Sequence, residues 1–238
     1  MLILLSLWRL LIVAFALVGI STVPGGGFGQ LQYLSQFASL VAAIVYVALL
    51  VYPLFTRGRR HEPRTPWLRG ATTVLLALVS VAFLTMLSGD LSDTSSLFEH
   101  LLTPLVVLID WIAVGSDQRN VRWWFPITWL AMPLAYLVFY VAYVGDGLPL
   151  YPFLDPNDAD FAGIVLAFLT GVLAFGYVLY GIGKLRAAVS GSRDQTSMRG
   201  NPVQDVSWGP GAHPSPGWPA GLHPPQNARY GNTGRGQG

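Results

Sequence analysis

The chain has 238 residues, of which 53% are hydrophobic and only 11% charged, with a net charge of +2. Soluble domains carry about 25% charged residues, so this composition excludes an ordinary soluble domain and a wholly disordered chain. No cysteine is present, which excludes disulfides, thiol catalysis and Cys-ligated metals.

Crossing a bilayer takes about 20 mostly apolar residues. Six stretches qualify, at 2–20, 31–55, 67–87, 97–115, 123–144 and 161–183. The apolar runs are continuous rather than alternating, so they predict helices and not barrel strands. The expected fold is all-α, a polytopic bundle of six transmembrane helices over residues 1–189. From Ser190 the chain is rich in Gly, Pro, Ser, Asn and Gln, and residues 190–238 are expected to form a disordered tail. Trp208, Trp218 and Tyr230 in that tail are available to headgroups or to a partner.

The connections predict orientation. The loop after the second span holds Arg57, Arg59, Arg60, Arg64 and Arg69, that after the fourth holds Arg119 and Arg122, and the tail opens with Lys184 and Arg186. The other three connections contain no Lys or Arg and carry Asp90, Asp93, Glu99, Asp146, Asp155, Asp158 and Asp160 instead. The positive-inside rule then places both termini in the cytoplasm of a cell membrane. The small positive net charge is a topology signal, so a nucleic-acid partner is not expected, and membrane lipids are the expected surroundings.

Polar groups inside spans are the candidate functional residues. Arg9 in the first span and Asp110 near the end of the fourth lie at matching depth, about 10 and 8 Å from the same face at 1.5 Å per residue. An ion pair between them is expected, locking helix register. His100 opens the fourth span at the opposite face and is placed to act as a base near neutral pH. Pro104 leaves the carbonyl of residue 100 without its helical donor, which predicts a locally opened helix start. Ser35 and Ser39 share one face of the second span, and Ser35 lies at the same depth as His100. Glu99 points about 100° away from His100 on a regular helix, so no third group is assigned. The acidic outer loop lacks the central Gly and distal Glu of a calcium loop, and no metal or cofactor is expected.

Two blocks carry a resemblance. One is the pattern of His100, Thr103, Pro104, Asp110 and Trp111. The other runs from WWFPITWL to YPFLDP and includes Trp129, Pro133 and Tyr136. Together they resemble the bacterial six-span Pr-six-Pr membrane proteins, which are distantly similar to the androgen-induced/FAR-type hydrolases of fatty acid esters of hydroxy fatty acids. The resemblance covers about residues 1–189. It implies a bacterial cytoplasmic-membrane protein that hydrolyses a lipid-like ester, with a nucleophile at Ser35 and its base at His100. Where the bacterial family tends to read a threonine followed by a polar Gln-Ser-Asn triplet, this chain has Ser35, and Phe37, Ala38 and Ser39 stand where the triplet would sit. A non-enzymatic role, binding lipid or a partner or transporting a small solute, is the competing expectation. For topology, a tag placed at Gly25 is expected to be reached by membrane-impermeant reagents from outside intact cells. Protection of that tag overturns the orientation.

Overall fold

A computed structural model describes residues 2–23, 30–58, 61–87, 89–114, 117–145 and 147–199. Six helices follow one another: α1 (Leu2–Ser21), α2 (Leu34–Phe55), α3 (Trp67–Met86), α4 (Thr94–Val114), α5 (Phe125–Val144) and α6 (Phe161–Arg199). All six are long and apolar enough to cross a membrane, and no strand occurs among the described residues. The architecture is all-α and compatible with a multi-pass integral membrane protein. Residues 1–195 form one compact unit, and the second, 196–238, lies outside the described residues except for the last turn of α6. The helix itself runs to Arg199, past Ser190 where the polar composition begins.

The core is made of small and branched side chains. Ile12 and Ala16 of α1, Ala38 and Ala42 of α2, Leu75 and Leu76 of α3 and Val107 of α4 are fully enclosed. A second cluster joins Ala71 and Val74 of α3 to Trp111 of α4, Trp129 of α5 and Leu179 of α6. Helix α3 belongs to both clusters and is the most enclosed span, whereas most of α6 faces outward. The buried hydroxyls of Thr72 and Thr73 are satisfied by the carbonyls of Leu68 and Arg69, four residues back, at 2.8 Å each.

Helices α2 and α4 run parallel and touch at two levels. Near one end the Gln36 amide donates to the Glu99 carboxylate. About 15 Å further along α2, at 1.5 Å per residue, the Tyr46 hydroxyl donates to Asp110 at 2.8 Å. Helix α4 is not regular. It widens into π-helical turns at Phe98–Leu102 and Asp110–Val114 around an α-helical segment, Thr103–Ile109. The first widened turn ends just before Pro104, whose missing N–H deprives His100 of the donor that a regular helix would supply. In α5 the break falls at Leu130, where Pro133 likewise leaves the carbonyl of Trp129 without its donor.

One close approach depends on glycine. Gly70 of α3 lies against the indole of Trp129, and a Cβ placed there would overlap its ring carbons. Trp129 is fixed in turn by an edge-to-face contact with Trp111, centroids 5.6 Å apart. Gly70→Ala is therefore expected to lower stability by about 1–3 kcal/mol through overpacking. Thermal unfolding in detergent or nanodiscs measures this, and an unchanged Tm contradicts the packing described.

Candidate functional site

Two polar centres lie inside the bundle, one toward each end. The end that carries the arginine-rich loop holds a network of buried charges. Arg69 is the third residue of α3 and is almost fully enclosed. Its Nε and Nη2 donate to Asp110 Oδ2 at 3.0 and 2.7 Å, and Nη2 also donates to the Asp110 carbonyl at 3.0 Å. The widened turn beginning at Asp110 interrupts the regular ladder there. Nη1 of Arg69 pairs with Asp117. Burial pushes the Asp117 carboxyl up to about 6, against the opposing pull of Arg69. Asp110 is completed by the Tyr46 hydroxyl and by Trp8 Nε1 at 3.1 Å.

The expected Arg9–Asp110 ion pair does not form. Helices α1 and α4 meet at the matched depth, but the contact is made by Trp8 rather than Arg9. Arg9 donates to the carbonyls of Leu49 at 3.0 Å and His61 at 2.8 Å and pairs with Glu62 at 3.1 Å. The reason is local. Pro53 has no N–H, so the Leu49 carbonyl four residues earlier lacks its helical donor and the guanidinium supplies one. Arg69, assigned to the loop by its charge, has instead turned into the bundle and taken Asp110. The buried charges are therefore more than Arg9 and Asp110, and include Arg69, Glu99 and Asp117.

Toward the other end lies a cavity of about 330 Å³. Its wall is mostly apolar: Leu78, Ala82 and Phe83 from α3, Pro133 and Leu137 from α5, Phe168 from α6. The segment Leu150–Leu154 closes one side, and tyrosines tie it down. The Tyr151 hydroxyl accepts the Leu34 N–H at 2.7 Å and thereby caps the start of α2. Tyr140 donates to the Leu154 carbonyl at 2.8 Å, and Tyr136 to that of Gln32 at 2.7 Å. Burial raises the Tyr151 hydroxyl above its ordinary range, so it remains a neutral donor and acceptor. The acidic residues beyond are spent on turns: Asp155 accepts the Asn157 N–H at 2.9 Å and Asp158 that of Asp160 at 3.2 Å.

Ser35 and His100 both line this cavity. The His100 ring stacks on Phe83, centroids 3.7 Å apart, and its Nδ1 lies 3.1 Å from the Ser96 carbonyl. A carbonyl only accepts, so Nδ1 carries the hydrogen and Nε2 keeps its lone pair. No hydrogen bond joins Ser35 to His100. Gln36, the residue after Ser35, donates to the Glu99 carboxylate. Glu99 faces away from His100, as a helix wheel predicts, and meets Gln36 of α2. A helix wheel orients Glu99 only within its own span, so its partner on α2 is not legible in the sequence.

The charge network makes a quantitative statement. Removing one member of a buried pair costs about 3–5 kcal/mol because a charge is left uncompensated. Arg69→Ala and Asp110→Ala are each expected to reach that range. Their double variant is expected to lose less than the sum, with a coupling within about 0.5–3 kcal/mol. Unfolding of the four proteins in nanodiscs measures it, and strict additivity overturns the pair. No family model, curated protein or solved structure matches this chain.

Proposed function

We propose that this protein is a membrane-embedded hydrolase of lipid-like esters, with Ser35 as nucleophile and His100 as the base at the cavity wall. The observation that carries this reading is that a hydroxyl from α2 and an imidazole with a free Nε2 from α4 meet one cavity whose walls are otherwise mostly apolar. Small-ligand sites have this character, with a few polar groups set in an apolar pocket of about 300 Å³ or more. An ester with an aliphatic chain buries that chain against α3, α5 and α6 and presents its carbonyl to the polar side. Ser35 Oγ attacks the carbonyl carbon, the alcohol departs with a proton, and water releases the acyl group from Ser35. The resemblance to the six-span Pr-six-Pr proteins and, through them, to the fatty acid ester hydrolases supports the same assignment. The arginine-rich loops support an orientation with both termini in the cytoplasm of a bacterial membrane and the cavity toward the outer leaflet.

A second reading, a protein that binds lipid or passes a small solute without chemistry, is favoured by the missing hydrogen bond between Ser35 and His100. The two readings separate on turnover of a long-chain p-nitrophenyl ester by protein in nanodiscs. Ser35→Ala and His100→Ala are each expected to lower turnover by about 100-fold or more. Equal rates in all three proteins reject the hydrolase and leave the binding role.

A further inference from the structure

Tyr151 opens the YPFLDP segment and stands in the cavity wall together with Ser35. Its hydroxyl has one hydrogen to give and two lone pairs to offer. The Leu34 N–H, 2.7 Å away at the start of α2, takes a lone pair. Among the described residues the hydrogen has no partner as close. The Tyr136 hydroxyl lies 3.4 Å away, beyond the usual O–H···O range of about 2.5–3.0 Å. Tyr136 spends its own hydrogen on the Gln32 carbonyl at 2.7 Å, so toward Tyr151 it can only accept. The Tyr151 hydrogen is left for an acceptor that enters the cavity.

The surroundings suit that hydrogen to a developing negative charge. Leu34 immediately precedes Ser35, so the hydroxyl sits at the turn of α2 that carries the nucleophile. The N–H groups of a first helical turn lack helical acceptors and form the positive end of the helix. Accepting the Leu34 N–H polarises the phenol and strengthens it as a donor. The Tyr151 ring is held among Tyr33, Tyr140 and Phe153, with centroids 6.3, 5.7 and 5.8 Å away. A donor fixed before the reaction needs no reorganisation during it.

We propose that Tyr151 is a further catalytic residue, whose hydroxyl donates to the ester carbonyl oxygen as that oxygen becomes an anion; this rests on the hydrolase reading given above. As Ser35 Oγ bonds to the carbonyl carbon and its proton passes to His100, the carbonyl electron pair moves to oxygen. Tyr151 holds that oxygen by a hydrogen bond and keeps its own proton. Collapse returns the pair and breaks the bond to the leaving oxygen, which takes the proton from His100 and departs as an alcohol.

The test compares the long-chain p-nitrophenyl ester with its thionoester, in which sulfur replaces the carbonyl oxygen and accepts hydrogen bonds poorly. Two replacements remove the donor in different ways. Tyr151→Phe adds no bulk but uncaps Leu34, whereas O-methyltyrosine at position 151 keeps the capping oxygen. Wild type in nanodiscs is expected to prefer the oxygen ester by about 100-fold beyond the uncatalysed ratio. Both replacements are expected to slow the oxygen ester by about 100-fold and the thionoester by only a few-fold, so the preference collapses. A tyrosine that merely ties down the segment slows both esters alike. An oxygen-to-sulfur preference unchanged from wild type in either folded variant overturns the role of Tyr151 and leaves the hydrolase standing. No turnover by wild type, or Ser35→Ala turning over at the wild-type rate, overturns the hydrolase and this role with it. Because O-methyltyrosine preserves the cap, the test stands even if Tyr151→Phe does not fold.

Discussion

The guanidinium of Arg69 is the interaction on which the bundle depends. It is planar with five donors in a fixed fork. Here the fork grips the Asp110 carboxylate, the Asp110 carbonyl and Asp117, while Asp110 collects Tyr46 from α2 and Trp8 from α1. Four helices and the α4–α5 connection thus converge on one cation. Apolar packing alone gives weak direction to helices in a lipid-like solvent, since hydrocarbon outside is as comfortable as hydrocarbon inside. A buried charge network is directional, and it selects one arrangement of α1 to α4.

A second polar contact sits at the far end of the same helix pair. The Gln36–Glu99 and Tyr46–Asp110 contacts pin α2 against α4 at two levels, so neither sliding nor rotation is free. Between the two levels the facing residues are small or branched, such as Ala42 and Val107, with the enclosed hydroxyls of Ser39 and Thr103 nearer the Glu99 end. The first pin also sets the cavity's chemistry, because Ser35 is the residue next to Gln36. Holding the register and placing Ser35 at the cavity wall are two consequences of one contact.

Proline makes several of these arrangements available. Each one removes a donor and leaves a carbonyl without its helical partner. The carbonyl four residues before Pro53 receives Arg9, the one before Pro133 coincides with the break at Leu130, and Pro104 follows the widened turn that carries Glu99 and His100. Widened turns recur at functional sites because they re-aim side chains out of the regular phase. The last carbonyls of α4 are met from outside: Gln118 and Arg186 donate to Trp111 O, and Arg186 also to Ala113 O at 3.2 Å.

The sequence by itself determined the six helices, because span length and continuous hydropathy are one-dimensional properties. It determined as well that Ser35 and His100 lie at one depth and Arg9 and Asp110 at another, because rise per residue converts position into height. Only the tertiary structure decided who touches whom at each depth. Trp8 replaced Arg9 at Asp110 because Pro53 had already provided Arg9 with an acceptor. Arg69 left its loop because the widened end of α4 offered it a carboxylate and a carbonyl together. Glu99 came to Gln36 because Gly19 made room on α1 and a widened turn set the phase. Depth follows from counting residues along one helix, whereas azimuth depends on backbone irregularities and on space left by other helices. That second coordinate is absent from any single span, and it is the one that assembled the site.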